Sequence, residues 1–327
     1  MQRISKMIVI SLLALANFSG DSFAQKRGGT LQVAMNRTFN GFDTATSPTV
    51  FPTKLNVQRA MYEDLFSLDE NGKLVPILGT ALKISPDQKL FTVTLRKGVK
   101  FSNGEPFTAR AFVDHFKRAM KATMVNFIKG QIGPVKEVIA VDDHTVEFHM
   151  SRPHEGFKAA LTGPFQFFWV NAPEHAKNMG PFVTKLPVGT GPYMLDDWEQ
   201  GIKLTLIRNP NYRHPEKQYL DKIIMPLVSR EEARLNALKA GNLDLYITNS
   251  GKIAKLAGKD PSIEVFGQVD QGSGIVALDT SKPPLDDLRV RKALAYAVDR
   301  KVEVQAALGG VGGILATDWF GPKSKWY

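Results

Sequence analysis

The chain has 327 residues, 43% of them hydrophobic, and carries 42 Lys and Arg against 32 Asp and Glu, a formal net charge of +10, with no cysteine. The absence of thiols excludes disulfide scaffolds, zinc–cysteine sites, iron–sulfur clusters and cysteine nucleophiles. With 23% charged residues, 27 Gly and 19 Pro, the chain is neither collagenous nor compositionally disordered, and it is long enough to bury a large core in two domains or one large one. The positive charge is scattered, with no run of five Lys or Arg. It reads as a solvated basic surface and not as a nucleic-acid face.

Taken in chain order, residues 1–24 read as a cleavable export signal. Arg3 and Lys6 give a positive start, Met7 to Ala16 an apolar run, and Ser22-Phe23-Ala24 a small-x-small exit before Gln25. The run is too short to span a bilayer, and the exit lacks the cysteine that a lipid anchor requires. The expectation is a soluble protein diffusing in a periplasm-like compartment.

Thr30 to Met35 reads as a buried strand entering a polar loop from Asn36 to Ser47. Lys54 to Phe66 places Val57, Met61 and Leu65 at helical spacing. Leu90 to Arg96 alternates as a half-buried strand, and Lys97-Gly98 turns it into a short strand from Val99 to Phe101. Thr108 caps a helix running to Ala122, with Phe112, Phe116 and Ala119 on one face. Val138 to Val141 and Val146 to Met150 flank Asp142-Asp143-His144-Thr145, a hairpin signal. Ser151 to Gly191 is irregular and rich in Pro, Gly and aromatic residues. Lys203 to Ile207 and Ile223 to Val228 are strands, separated by the turn at Arg208-Asn209-Pro210-Asn211-Tyr212. Ser229 and Glu232 form a capping box for a helix from Arg230 to Ala240, closed by Gly241, and Leu243 to Ile247 follows as a strand. The class is mixed α/β, with no tandem repeat.

Three stretches carry a resemblance. The first is Ala81 through Gly104, with Phe91-Thr92-Val93-Thr94-Leu95-Arg96-Lys97-Gly98-Val99-Lys100-Phe101. The second is Pro187-Val188-Gly189-Thr190-Gly191-Pro192-Tyr193, followed by Trp198 and the Arg208–Tyr212 turn. The third is Pro284-Leu285-Asp286-Asp287-Leu288-Arg289-Val290-Arg291-Lys292-Ala293-Leu294 with Ala297-Val298-Asp299-Arg300. In order and spacing they resemble the extracellular solute-binding proteins of family 5, the peptide, dipeptide and nickel-chelate receptors of ABC importers. The likeness covers essentially residues 28 to 327. By their own chemistry, Gly189 and Gly191 read as glycines whose backbone conformations a tight turn requires. The alternative, a phosphate nest, lacks the lysine and helix of a P-loop. Asp286 and Asp287 read as a helix cap; a catalytic carboxylate pair is the alternative.

Enzyme patterns find little support. The histidines, His115, His144, His149, His154, His175 and His214, form no H-E-x-x-H, and Gln271-Gly272-Ser273-Gly274 is not a nucleophile elbow. No catalytic residue, metal ligand or cofactor is expected. Because Asp and Glu are plentiful, an exported hydrolase acting on peptides or glycans stays open as the alternative.

The resemblance implies a two-lobed periplasmic-binding-protein fold of the large peptide-binding type, closing on its ligand about a hinge. Residues 25–55 and 178–268 would form lobe I, with 56–177 inserted as a subdomain. Residues 269–327 would make the hinge crossing and the start of lobe II. Ligand contacts would come from Asn36, Arg37, Thr38 and Phe39, from Thr248 and Asn249 at a strand end, and from Gln271 and Ser273 at the crossing. Phe165, Phe167, Phe168 and Trp169 would line a pocket or a core. The implied partners are a peptide or other small-molecule ligand and an inner-membrane ABC permease with its ATPase, with no nucleic acid, the receptor itself a monomer. Related receptors are much longer, so most of lobe II is expected to be missing here. The chain is then a fragment of a longer product or a truncated, non-functional receptor, with apolar surface facing water and weak ligand binding.

Overall fold

The computed structural model describes residues 27–44, 52–69, 71–121, 130, 132–162, 168–178, 187–266, 278–302 and 305. The expected export signal, most of the 269–278 crossing, Phe165 and Phe167 lie outside the described residues. The elements in chain order are β1 (Thr30–Gln32), α1 (Pro52–Met61), β2 (Phe66–Leu68), β3 (Leu74–Pro76), β4 (Gly79–Ile84), β5 (Leu90–Leu95), α2 (Ala109–Ala119), β6 (Val135–Asp142) and β7 (Thr145–Met150). There follow α3 (Phe157–Ala160), α4 (Pro173–Lys177), β8 (Tyr193–Glu199), β9 (Lys203–Arg208), β10 (Lys222–Pro226), α5 (Glu231–Lys239), α6 (Gly251–Ala257) and α7 (Leu288–Ala297).

Two four-stranded sheets organise these elements. One, in the order β4-β5-β7-β6, is antiparallel throughout. Strands β5 and β7 alternate as the sequence predicts, so that Phe91, Val93, Leu95, Val146 and Phe148 are buried on one face. Helix α2 closes that face with Phe112, Phe116 and Ala119. It starts where expected, since the Thr108 hydroxyl accepts the Ala111 N–H at 3.2 Å. The core is aromatic: Phe148 meets Phe112, Phe116, Phe157 and Phe168 with ring centroids 4.9–6.2 Å apart. The β6–β7 turn forms as read, with the Asp142 carboxylate accepting the His144 N–H and the Thr145 hydroxyl.

The other sheet, in the order β1-β10-β9-β8, is mixed. Strand β1 runs parallel to β10, and β10-β9-β8 is antiparallel. It draws one strand from the start of the described chain and three from residues 193–226. Helix α1 packs against β8, and Met35, Phe42, Val57, Met61, Trp169, Leu204 and Leu206 fill this second core. Phe168 and Trp169 are both buried, at 2% and 0% exposure, which places them in the two cores and removes them as pocket walls.

Several sequence expectations need correction. Val99 to Phe101 contributes a single bridge, Lys100 to Pro106, and not a strand. Helix α1 stops at Met61 instead of reaching Phe66, because the Gly191 N–H takes the Met61 carbonyl at 2.9 Å. The capping box at Ser229 is not made. The cap is Arg230, without a side-chain bond, and Arg234 Nη1 donates to the Val228 and Ser229 carbonyls at 2.7 and 2.9 Å. Leu243 to Ile247 pairs only at Leu245, with Val33; the Asp244 carboxylate accepts the Gln32 N–H at 2.7 Å in place of a strand carbonyl. The β2–β3 hairpin, β4 and β8 were not anticipated as elements.

The Gly189–Gly191 turn is also explained differently. Neither glycine takes a positive φ. A Cβ on Gly191 would sit 2.5 Å from the Met61 carbonyl carbon, and one on Gly189 would collide with the Met61 oxygen. Close approach to the end of α1 requires glycine here, not backbone conformation. The Asp287 cap does form, its carboxylate accepting the Arg289 N–H at 2.8 Å.

Candidate ligand-binding end of the parallel strands

Three chain segments run side by side in one direction: β1 with its extension to Met35, β10, and the stretch through Leu245. Val33 bridges Leu245 and Met35 bridges Leu227, both in parallel sense. The Val33 and Met35 amides donate to Ile224 and Pro226 at 2.9 and 2.8 Å, and the Ala34 amide to Leu245 at 3.3 Å. Their carboxyl ends therefore open on the same side of the sheet. The segment Asn36–Phe39 leaves one, Ser229 and Arg230 the second, and Thr248 with Asn249 the third. Because β9 is antiparallel to β10, the β8–β9 turn lies at this end too, where Leu227 N–H donates to the Ile202 carbonyl at 2.7 Å. Loops gathered beyond the carboxyl ends of parallel strands are where open α/β sheets hold ligands.

The structure thus brings together six of the eight residues named from sequence. Asn36, Arg37 and Thr38 are exposed, and Phe39 is half-buried. The Phe39 ring stacks on Trp198 at 5.6 Å with an interplanar angle of 16°, and both rings contact Phe42 edge-on at 5.1 and 4.9 Å. The Gln200 amide donates to the Phe39 carbonyl and the Asn40 side chain, each at 3.4 Å. Asn249 is exposed. Thr248 is not a bystander hydroxyl: its Oγ1 donates to Glu231 Oε1 at 2.5 Å and accepts the Ser250 N–H at 3.0 Å. Glu231 in turn pairs with Arg234 at 3.3 Å. Thr248 therefore ties the third strand end to the start of α5. Gln271 and Ser273 lie outside the described residues.

Sequence reasoning missed Gln200, Glu231 and Arg234 at this end, and it missed Asp43 and Arg118 behind it. Asp43 and Arg118 pair in bidentate fashion at 2.6 and 2.9 Å across 75 residues, a separation with no local signal. Nearby titratable groups are displaced by burial. Desolvation lowers the Lys54 ammonium to about 8, partly offset by Asp43. Desolvation raises the Asp64 carboxyl to about 6, against the bond that Trp169 Nε1–H donates to it at 2.6 Å. Among the described residues no group of three or more His, Cys, Asp or Glu is placed to hold a metal ion, and no helix is long and apolar enough to cross a membrane.

Exposed polar side chains, those of Asn36, Arg37, Thr38 and Asn249, thus gather beyond the ends of the parallel segments. The same fold is found in a periplasmic binding protein associated with an ABC transporter, from Helicobacter pylori, solved with a bound peptide. The two superimpose with a TM-score of 0.76 at 25% identity, over 93% of this chain and 62% of that one. The model of the bacterial extracellular solute-binding proteins, family 5, matches residues 73–327, and the chain belongs to that family. The family is one of binding proteins, not of enzymes. Curated relatives include the nickel-binding periplasmic protein of Escherichia coli (29% identical over 281 residues, covering 81% of this chain and 51% of that protein). A glutathione-binding protein of the same species is 28% identical over 256 residues, 78% of this chain and 49% of its own length. The chain thus spans about half the length of these curated relatives.

Proposed function

We propose that this chain is the substrate-binding component of an ABC importer, capturing peptides or similar small solutes by lobe closure and delivering them to a membrane permease driven by a separate ATPase. The observation that carries this reading is the convergence of Asn36–Phe39 and Thr248–Asn249 at one end of three parallel segments. An extended peptide offers backbone donors and acceptors that neutral groups of this kind match, while its side chains are left to roomier, wetter surroundings. The peptide bound to the H. pylori relative supports the same ligand class. The leader-like residues 1–24 and the periplasmic relatives support action in the periplasm.

Within this reading, residues 25–55 and 178–268 make lobe I and 56–177 its inserted subdomain. The sheet shared by β1 and β8–β10 supports that division, as does the separate antiparallel sheet of β4–β7. Residues 269–327 cross to the second lobe. Closure is then a population shift: the ligand favours the closed state because it contacts both lobes only there.

The test is calorimetric titration of the full chain with the tetrapeptide Ser-Thr-Ser-Ala, with glutathione and with a nickel–histidine complex, followed by mass analysis of each solute. Saturable binding of the tetrapeptide, recovered uncut, is expected. Cleaved peptide would move the protein to the hydrolase alternative, and saturation by the nickel complex alone would replace the ligand class.

A further inference from the structure

The loop that carries Asn36–Phe39 is held at its far end by groups that lie outside the ligand-binding end. Asp43 has a side-chain exposure of 5%, and its two carboxylate oxygens receive both terminal nitrogens of Arg118, which is itself 26% exposed. Arg118 stands in the last turn of α2, the helix that closes the antiparallel sheet. The next residue, Thr44, donates its hydroxyl to the Trp169 carbonyl at 2.6 Å. The residue before, Phe42, is fully buried and gives its carbonyl to Gln58 Nε2 of α1 at 3.0 Å. From Phe42 the chain returns through Phe39, stacked on Trp198, to the exposed residues Asn36–Thr38.

We propose that Arg118 is a positioning residue for the candidate ligand site: its fork on Asp43 fastens the loop 36–44 to the antiparallel body and so sets where Asn36–Phe39 stand over the parallel strand ends. Two features of the pair favour this role. A bidentate guanidinium–carboxylate contact fixes orientation as well as distance, which a lysine at the same place would not do. The pair is also largely removed from solvent, so the geometry is not lost to screening as it is in the exposed Arg110–Asp114 pair of the same helix. The inference rests on the reading that Asn36–Phe39 contact ligand, but the fastening itself can be measured without any ligand.

The experiment labels the full chain with 5-fluorotryptophan and identifies the Trp198 fluorine signal with Trp198→Phe. Phe39 and Phe42 both lie against the Trp198 ring, so release of the loop moves this signal toward its position in a Phe39→Ala/Phe42→Ala variant. Arg118→Ala and Asp43→Asn are expected to move it in that way, and Arg110→Ala is expected to leave it in place. In parallel, affinity for Ser-Thr-Ser-Ala is expected to fall on the order of tenfold in either variant, and the Arg118→Ala/Asp43→Asn double variant to be no weaker than the worse single. If Arg118→Ala does not fold, Arg118→Lys keeps the charge without the fork and is expected to give a partial shift of the same signal. An unchanged Trp198 signal in a folded Arg118 or Asp43 variant overturns the proposal, whether or not affinity changes. A shifted signal with unchanged peptide affinity overturns the positioning role. A wild-type chain that binds no peptide defeats the functional reading instead, while the Trp198 signal still decides the fastening.

Discussion

The two sheets of this protein do different work, and their construction shows it. The antiparallel β4-β5-β7-β6 body buries a continuous set of phenylalanines beneath α2, and β6 and β7 are joined by the short turn at Asp142–Thr145. The mixed β1-β10-β9-β8 body has a smaller core and a parallel pair. Parallel strands cannot be joined by a hairpin, so their carboxyl ends must release longer connections on one side. One body is therefore built to hold shape and the other to present loops. The ion pair between Arg118 and Asp43 is where the first supports the second.

Substitutions in the antiparallel core should cost the most. Phe148→Ala removes a fully buried ring that meets four others, and should cost about 3–5 kcal/mol in denaturant unfolding. If the division of labour holds, peptide affinity of the folded fraction stays unchanged; a parallel loss of affinity would merge the two roles. Gly191→Ala comes next. It drives a methyl against the Met61 backbone, which cannot yield as a flexible side chain does, for about 3 kcal/mol by the same measurement. A neutral result would mean that the end of α1 yields to a methyl at this position.

A smaller effect comes from Asp64, the acceptor of Trp169 Nε1–H. Burial raises its folded carboxyl from the ordinary 3.8 to about 6. Between those values the folded state holds a proton that the unfolded chain has released, so stability should decline as pH rises through the window and level off above about 6. Asp64→Asn keeps an acceptor for Trp169 Nε1 and should remove that decline, stabilising the protein at neutral pH by about 2 kcal/mol. Thermal melts of both proteins at pH 4.5 and 7.5 check this, and identical slopes would show that the carboxyl is not strained by burial. The smallest stability change is expected at the exposed loop. Asn36→Ala should lie within about 0.5 kcal/mol of wild type in melting while weakening peptide binding in the calorimeter. A variant that binds as wild type removes Asn36 from the site.

Legibility in the sequence followed the same division. Strict alternation in Leu90–Leu95 and Thr145–Met150, the Thr108 cap and the Asp142 turn are local signals, and they described β5, α2, β6 and β7 of the antiparallel body, though not β4, whose exposed face breaks the alternation. The parallel end was legible only in part. The polar loop at Asn36–Phe39 is visible where a strand stops, but its naming as a ligand contact came from the layout that the family resemblance implies. Its proximity to Thr248 depends on Val33 meeting Leu245 across more than two hundred residues, and only the family resemblance suggested it. Leu243–Ile247 reads as a strand by composition, but the Asp244 carboxylate takes the Gln32 amide and leaves a single bridge. Ser229 looks like the first half of a capping box until Arg234, a residue with no cap signature, takes the Val228 and Ser229 carbonyls. Gly189 and Gly191 announce a special backbone, yet what they accommodate is the end of a helix that lies more than a hundred residues earlier. Spacing reports what a segment can bury locally; it does not report which distant group will claim its hydrogen bonds.

In the proposed function, ligand sits at the shared carboxyl end of β1, β10 and the segment through Leu245. The most direct measurement is photo-crosslinking of the full chain with a tetrapeptide carrying a benzophenone, followed by mass mapping of the modified residues. Adducts confined to Asn36–Phe39 and Thr248–Asn249, and competed away by unlabelled Ser-Thr-Ser-Ala, are the predicted result. Competed adducts on the open face of the antiparallel sheet, at Thr92, Thr94 or Glu147, would contradict it.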